Sequence, residues 1–232
     1  MRRHPDRGEA GRFVSDSSAV PGPKGAAVGR RLGIGIINSL WRPRVLGTWR
    51  MPAMGPVILA VNHSHYVDGP VLMGTCPRPV HFLIKKEAFI GPLDPFLRGI
   101  GQLPVDRHST DRTAVTSALG VLERGGVLGI FPEGTRGEGD FADLRAGLAY
   151  FAVRSGAPIV PVAVLGTSRP GRLIRGLPPV RGRVDIVFGD PFDAGDGTGR
   201  RTRTALDAAT VRIQKHLTGH LEYARRATGR AS

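Results

Sequence analysis

The chain has 232 residues, of which 33 are Lys or Arg and 19 are Asp or Glu, so its formal net charge is +14 and its pI is near 11.3. This length suits one α/β domain rather than two, and the single cysteine, Cys76, excludes an intramolecular disulfide. The basic excess favours an anionic partner: a phospholipid surface, a phosphate-bearing substrate, an acidic carrier or nucleic acid.

The first predicted elements are a basic arm and an amphipathic helix. Residues 1–27 are rich in Arg, Gly, Pro and Ser, which predicts a disordered arm. Residues 28–43 are predicted to form a helix, because five apolar side chains share one half of it: Leu32, Ile36, Ile37, Leu40 and Trp41. Gly33 and Gly35 weaken this helix, so it needs a surface, which is either the core or a membrane. Trp41 beside arginine favours the membrane.

Residues 44–232 alternate short apolar runs with helical patterns, which predicts a single α/β domain. Its mostly parallel sheet of about seven strands is covered by helices, and ligands of such sheets lie beyond the carboxyl ends of the strands. The predicted strands are 46–50, 57–61, 80–84, 103–105, 127–131, 159–165 and 184–188. The predicted helices are 110–124, 144–155 and 204–226.

The segment 62–68 directly follows the predicted strand 57–61 and places Asp68 five residues after His63. On a continuous helix the two side chains would point about 140° apart, so they can meet only if the segment is a turn that leads into a helix. Asp68 could then hold the imidazole while His63 acts as a general base on a substrate hydroxyl. The alternative is a capping aspartate beside an ordinary loop histidine.

A metal site is a second alternative for this segment. His63, His65 and Asp68 are similar to a metallohydrolase cluster, but in that pattern the acid usually comes two residues after the second histidine. Here it comes three residues later. The sequence therefore predicts no metal, and a metal-dependent hydrolase remains the alternative function.

A second motif occupies residues 131–136, after the predicted strand 127–131. Its Pro-Glu-Gly tripeptide is typical of a tight turn, which on its own could be purely structural. Thr135 and Arg136 add donors that favour phosphate recognition, and Arg107 offers a second guanidinium after the strand 103–105. The chain has no Gly-Lys-Ser/Thr loop for a nucleotide phosphate.

Together these segments resemble the glycerolipid acyltransferase family, which includes the lysophosphatidic acid acyltransferases. That family carries four ordered blocks: N-H-x4-D, a block ending in arginine, F-P-E-G-T-R, and a short valine-proline block. The first and third are intact at 62–68 and 131–136, and the fourth matches 160–162. The second, 101–107, has Pro104 where an aromatic residue is common.

The resemblance implies direct acyl transfer from acyl-CoA or acyl-carrier protein, used as a co-substrate with no cofactor, to a lysophospholipid. The acceptor would be 1-acylglycerol-3-phosphate and the product phosphatidic acid. His63, held by Asp68, would take the proton of the acceptor hydroxyl, and Pro161 would shape the acyl end of the pocket. The glycerol phosphate would be held by Arg107, Glu133, Gly134, Thr135 and Arg136.

The expected partners are therefore a lysophospholipid, an acyl thioester and an anionic membrane surface. We expect no nucleic acid, because only 6% of residues are aromatic and stacking platforms for bases need aromatic side chains. The expected location is cytoplasmic, peripheral on the inner face of the cell membrane. A non-catalytic basic protein of the membrane surface is the remaining alternative.

Overall fold

The computed structural model describes residues 20–106, 111–134, 139–142, 144–168, 177–195 and 202–230. The described residues form one seven-stranded sheet covered by helices. The strands are β1 (Arg42–Leu46), β2 (Val57–Val61), β3 (Val80–Lys85), β4 (Leu103–Val105), β5 (Val127–Ile130), β6 (Ile159–Leu165) and β7 (Arg183–Phe188). The helices are α1 (Pro23–Leu40), α2 (Asp68–Thr75), α3 (Leu93–Gly99), α4 (Arg112–Glu123), α5 (Gly147–Ser155) and α6 (Arg203–Thr228).

The strand order is β1-β7-β6-β2-β5-β3-β4, and all neighbours are parallel except β6 and β7. The predicted α/β fold with a mostly parallel sheet of seven strands is confirmed. Because β2 lies between β5 and β6, residues 62–68, 131–134 and 166–168 all emerge at the carboxyl ends of three adjacent parallel strands. The two sequence motifs therefore share one rim of the sheet.

The core lies on both faces of the sheet, since every residue of β2 is buried. Ile58 and Ala60 face the layer of α4, α5 and α6, whereas Val57, Leu59 and Val61 face the layer of α1 and α2. A strand that is apolar on both sides fits only the middle of a covered sheet. The central position of β2 therefore follows from its sequence.

One predicted strand is wrong. The strand lies at Arg42–Leu46 rather than at 46–50, and Thr48–Arg50 forms a 3₁₀-helix. Gly47 ends the strand because its backbone is left-handed, with φ at 76°. Pro43 is tolerated because β1 is at the edge of the sheet, where a missing N–H breaks no pairing on the open side.

Helix α1 begins at Pro23, five residues before the predicted start at 28, so the predicted boundary of the arm falls inside the helix. A proline in the first turn needs no hydrogen-bond partner for its nitrogen. The rest of the predicted arm, residues 1–19, lies outside the described residues. The short helix α3 was not predicted, because seven residues give too little periodicity to recognise.

Helix α1 packs on the core and also exposes apolar side chains. Its small residues Ala26, Gly29 and Gly33 are buried with Ile37, and Gly33 crosses Gly74 of α2 with the two backbones in contact. Trp41, just after the helix, is also buried. The neighbouring face of α1, about 100° round the helix, exposes Val28, Leu32, Ile36 and Leu40. Within the described residues, no helix is long and apolar enough to cross a bilayer.

The glycine crossing gives a test of this packing. A Cβ on Gly33 would stand 2.8 Å from the backbone nitrogen of Gly74, so we expect Gly33→Ala to lower the free energy of unfolding by about 1–3 kcal/mol. Gly35 lies two residues away with open space around its Cα, so Gly35→Ala should raise it by about 0.4–1 kcal/mol. Urea unfolding followed by circular dichroism measures both; equal effects would contradict the close crossing.

Candidate active site

The turn between β2 and α2 brings His63 and Asp68 together. Helix α2 begins at Asp68, as the sequence predicted, and the Nδ1 atom of His63 lies 3.2 Å from Oδ2 of Asp68. Because an ionised carboxylate only accepts hydrogen bonds, Nδ1 carries the proton. In the neutral imidazole the second ring nitrogen, Nε2, then carries no proton and can act as a base.

The Asp68 carboxylate is fully buried and accepts hydrogen bonds on both oxygens. Oδ2 accepts from the backbone N–H groups of Ser64, at 2.9 Å, and His65, at 2.7 Å. Oδ1 accepts from the Thr167 hydroxyl at 2.6 Å. Thr167 was missed by the sequence analysis. Its position two residues after β6 is a signal only once β6 is known to lie beside β2.

Asn62 fixes the start of the same turn. Its side-chain Oδ1 accepts from the backbone N–H of Val164 at 2.7 Å, and its Nδ2 donates to the Val164 carbonyl at 3.1 Å. The amide thus continues the pairing of β2 with β6 beyond Val61, the last paired residue of β2. This buried pair of bonds holds the chain at the point from which His63 projects.

Glu133 contacts the His63 turn from the neighbouring strand. Its Oε1 accepts from the backbone N–H of His63 at 3.2 Å. Burial raises the pKa of Glu133 to about 7, and the charges of Asp140 and Asp68 also raise it, whereas backbone N–H groups of His63 and Phe141 lower it. The carboxyl group therefore braces the turn, and its predicted contact with substrate phosphate stays a prediction.

An aromatic side chain packs against the His63 ring. The ring centroid of Phe131 lies 4.2 Å from that of His63, and Phe131 also stacks on Phe82. The His63 side chain is only 14% exposed. In the turn of the second motif, Gly134 has φ at 69°, and a Cβ at this position would collide with the guanidinium group of Arg145. Arg145 thus adds positive charge against the turn of the second motif.

The remaining predicted site residues either lie outside the described residues or line a different cavity. Arg107, Thr135 and Arg136 lie outside the described residues. Pro161 lies in β6 opposite Ala60 and lines a cavity of about 240 Å³ with residues of α6, a cavity that does not include His63. Its predicted contact with the acyl chain stays a prediction.

The structure also bears on the metal alternative. His65 is buried, and its ring packs on Tyr66 with centroids 4.2 Å apart. In the part of the chain that the structure describes, no three or more His, Cys, Asp or Glu side chains are grouped to hold a metal ion. The alternative of a metal-dependent hydrolase therefore finds no support in these residues.

Comparison with known proteins identifies a family. A family model described as Acyltransferase matches residues 42–165, which is more than half of the chain. The chain is 29% identical over 176 residues to the 1-acyl-sn-glycerol-3-phosphate acyltransferase of Bacillus subtilis, covering 75% of this chain and 85% of that protein. It is 32% identical over 143 residues to the enzyme of the same name from Streptococcus pneumoniae, covering 60% of this chain and 51% of that protein.

Two further similarities are informative. A lyso-ornithine lipid O-acyltransferase from Pseudomonas aeruginosa is 32% identical over 158 residues, covering 59% of each chain. The crystal structure of the 1-acyl-sn-glycerophosphate acyltransferase from Thermotoga maritima superposes with a TM-score of 0.60 at 21% identity, covering 86% of this chain and 78% of that one. The solved structure confirms the fold.

The raised pKa of Glu133 predicts how pH affects stability. The folded protein holds this proton up to about pH 7, whereas the ordinary pKa of the carboxyl is 4.5. The stabilisation that the raised pKa of Glu133 gives to the folded state is complete below pH 4.5. It is lost as pH rises from 4.5 towards 7, because in that range the folded state binds more protons than the unfolded state. Relative to Glu133→Gln, the wild type should therefore be less stable at about pH 8 than at about pH 5.

Urea unfolding of both proteins at the two pH values measures this difference. Glu123→Gln is the control, since Glu123 lies at the exposed end of α4. A difference between wild type and Glu133→Gln that stays constant with pH would show that burial does not perturb this carboxyl.

Proposed function

Because the chain belongs to the acyltransferase family, we propose that it moves a fatty acyl group from an acyl thioester to the free hydroxyl of 1-acyl-sn-glycerol-3-phosphate, giving phosphatidic acid. The observation that carries this proposal is the buried Asp68 beside His63 at the rim where β2, β5 and β6 end. The relatives named for this reaction in Bacillus subtilis and Streptococcus pneumoniae support the choice of acceptor.

In the proposed reaction His63 is the general base. Its Nε2 takes the proton of the acceptor hydroxyl while Asp68 holds the ring through Nδ1. The acceptor oxygen attacks the thioester carbonyl, the carbon–sulfur bond breaks, and the thiolate leaves with the proton that His63 returns. Phe131 covers one side of the imidazole and limits the access of water to it.

The proposed phosphate site combines sequence and structure. The resemblance assigns the glycerol phosphate to five residues: Arg107, Glu133, Gly134, Thr135 and Arg136. In the structure, the guanidinium group of Arg145 lies against Gly134 and adds a further positive charge there. The donor is acyl-CoA or acyl-carrier protein, and both are anionic, as the net charge of +14 favours.

We further propose that the enzyme meets its acceptor at an anionic membrane. Residues 20–67 contain six Lys and Arg and no Asp or Glu, and α1 exposes four apolar side chains. Leu177 and Val180 are also exposed, and their loop is tied to the end of α1 by a hydrogen bond from Arg181 N–H to the Leu40 carbonyl. We define the docking surface by its apolar members: Val28, Leu32, Ile36, Leu40, Leu177 and Val180.

This combination is typical of an interfacial surface, in which apolar side chains enter the headgroup region and basic ones attract anionic lipid. The inner face of the cell membrane remains the proposed location.

Release of free thiol from acyl-CoA, with 1-acylglycerol-3-phosphate as acceptor, tests the reaction. We expect His63→Ala to lower kcat by about 10²–10⁴-fold, because a positioned base contributes that much, and Asp68→Asn to be severe because the ring loses its orientation. Tyr66→Ala is the control, since Tyr66 is half exposed in the same turn. His65 is unsuitable because it is buried.

The same assay is run with a panel of lysolipid acceptors, which includes a lyso-ornithine lipid because it lacks the phosphate. If the enzyme prefers the lyso-ornithine lipid to 1-acylglycerol-3-phosphate, the proposal that these arginines bind the acceptor phosphate is wrong. Absence of thiol release by the wild type with every lysolipid, or full activity of His63→Ala, would refute the proposed reaction.

The docking surface is tested by replacing Leu32 and Ile36 with serine. Both are exposed on α1, so the double variant should fold. It should bind anionic vesicles at least about tenfold more weakly, because less apolar surface is removed from water on binding. Wild-type binding should weaken with salt. Trp41, which the sequence placed on the same face, is left intact because its indole is buried and donates to the Pro178 carbonyl.

The control replaces Met54 and Val211, two exposed apolar residues outside the docking surface, with serine. Activity on a short-chain, water-soluble acceptor should survive in both double variants. Unchanged vesicle binding by the α1 variant, or an equal loss in the control, would place the membrane contact elsewhere.

A further inference from the structure

Thr167 connects the end of β6 to the Asp68 carboxylate. Its hydroxyl lies 2.6 Å from Oδ1 of Asp68 and 3.3 Å from the hydroxyl of Ser64, and its side chain is almost completely buried. A hydroxyl has a single proton, and the shorter contact to the carboxylate takes it. Ser64 therefore donates to Thr167, and Thr167 donates to Asp68.

Thr167 differs from the other hydrogen-bond partners of Asp68 in where it comes from. The N–H groups of Ser64 and His65 belong to the same turn as His63, and they bond one oxygen of the carboxylate. Thr167 bonds the other oxygen from a separate strand, 99 residues further along the chain. With both oxygens engaged from opposite sides, the carboxylate cannot rotate about its Cβ–Cγ bond without losing a donor in a buried place.

We propose that Thr167 is a positioning residue for acyl transfer: through Asp68 it fixes the orientation and the protonated Nδ1 of His63. This inference rests on the proposed function of the His63–Asp68 pair. The carboxylate plane sets the direction along which Nδ1–H donates, and that direction sets where Nε2 points. Thr167 is only 1% exposed and offers no surface to a bound substrate, so its effect on the reaction passes through Asp68.

The loss of this hydroxyl has two consequences. The carboxylate gains rotational freedom, so His63 spends less time aligned with the acceptor hydroxyl. Oδ1 also loses its donor, and a less stabilised carboxylate attracts a positively charged imidazolium more strongly. His63 must be neutral to act as a base, so a higher pH is then needed to reach full activity.

Thr167→Val tests the proposal, because valine keeps the shape of the side chain and removes the hydroxyl. We expect kcat to fall by about 10- to 100-fold, as for loss of a hydrogen bond to a charged group. KM for acceptor and thioester should stay within about twofold, since Thr167 is buried and offers no surface to either substrate. The acid limb of the pH profile of kcat/KM should move to higher pH, and Thr167→Ser should restore most of the lost kcat.

Thr228→Val is the matched control. Thr228 is also buried, but its hydroxyl donates to the Ala224 carbonyl within α6, so this variant should keep both kcat and the pH profile. Three results would each overturn the role of Thr167: an unchanged pH profile in Thr167→Val, an equal loss in Thr167→Ser, or a loss no greater than in Thr228→Val.

Imidazole nitrogen NMR of the wild type and Thr167→Val gives a readout that needs no substrate. The wild type should show His63 with its proton on Nδ1, and in Thr167→Val the second ring nitrogen should lose its proton only at higher pH than in the wild type. An inactive wild type with this NMR difference would refute the proposed reaction and keep the positioning role. An active wild type with identical pH dependence of the ring-nitrogen signals in the two proteins would refute the positioning role alone.

Discussion

The burial of the Asp68 carboxylate is the constraint on which the geometry of the site depends. A carboxylate without solvent contact is tolerated only where donors replace its water shell. Asp68 receives two backbone N–H groups, an imidazole and a hydroxyl, so the turn and the end of β6 must stay where these bonds can form. The orientation of His63 is then a consequence of how Asp68 is satisfied.

The sheet order brings these donors together. Strand β2 has β5 on one side and β6 on the other, both parallel to it, so three carboxyl ends meet at one rim. From β6 come Thr167 and the Val164 backbone that pairs with Asn62, and from β5 comes Glu133, which accepts from the backbone of His63. The site is built from the ends of three strands. If either β5 or β6 did not lie beside β2, the hydrogen bonds that it contributes would be lost.

Local signals in the sequence were sufficient for most of the fold and for the His63–Asp68 pair. The runs that form β2 and β6 were predicted with their observed bounds because both strands are apolar on both faces. Strand β1 was misplaced because proline usually ends an element, and only the strand order shows that Pro43 is at an edge. Thr167 was missed for a similar reason: its contact with Asp68 can be predicted only if β2 is known to lie beside β6.

Helix α1 shows a different limit of sequence patterns. Three of its four buried residues are glycine or alanine, whereas a periodicity argument gives weight to large apolar residues. Gly33 and Gly74 bring the backbones of α1 and α2 into contact. Helix α2 begins at Asp68, so the proposed docking surface and the buried carboxylate lie on two helices in direct contact. The distance between His63 and a lipid acceptor bound at that surface would therefore be fixed by the crossing of α1 and α2.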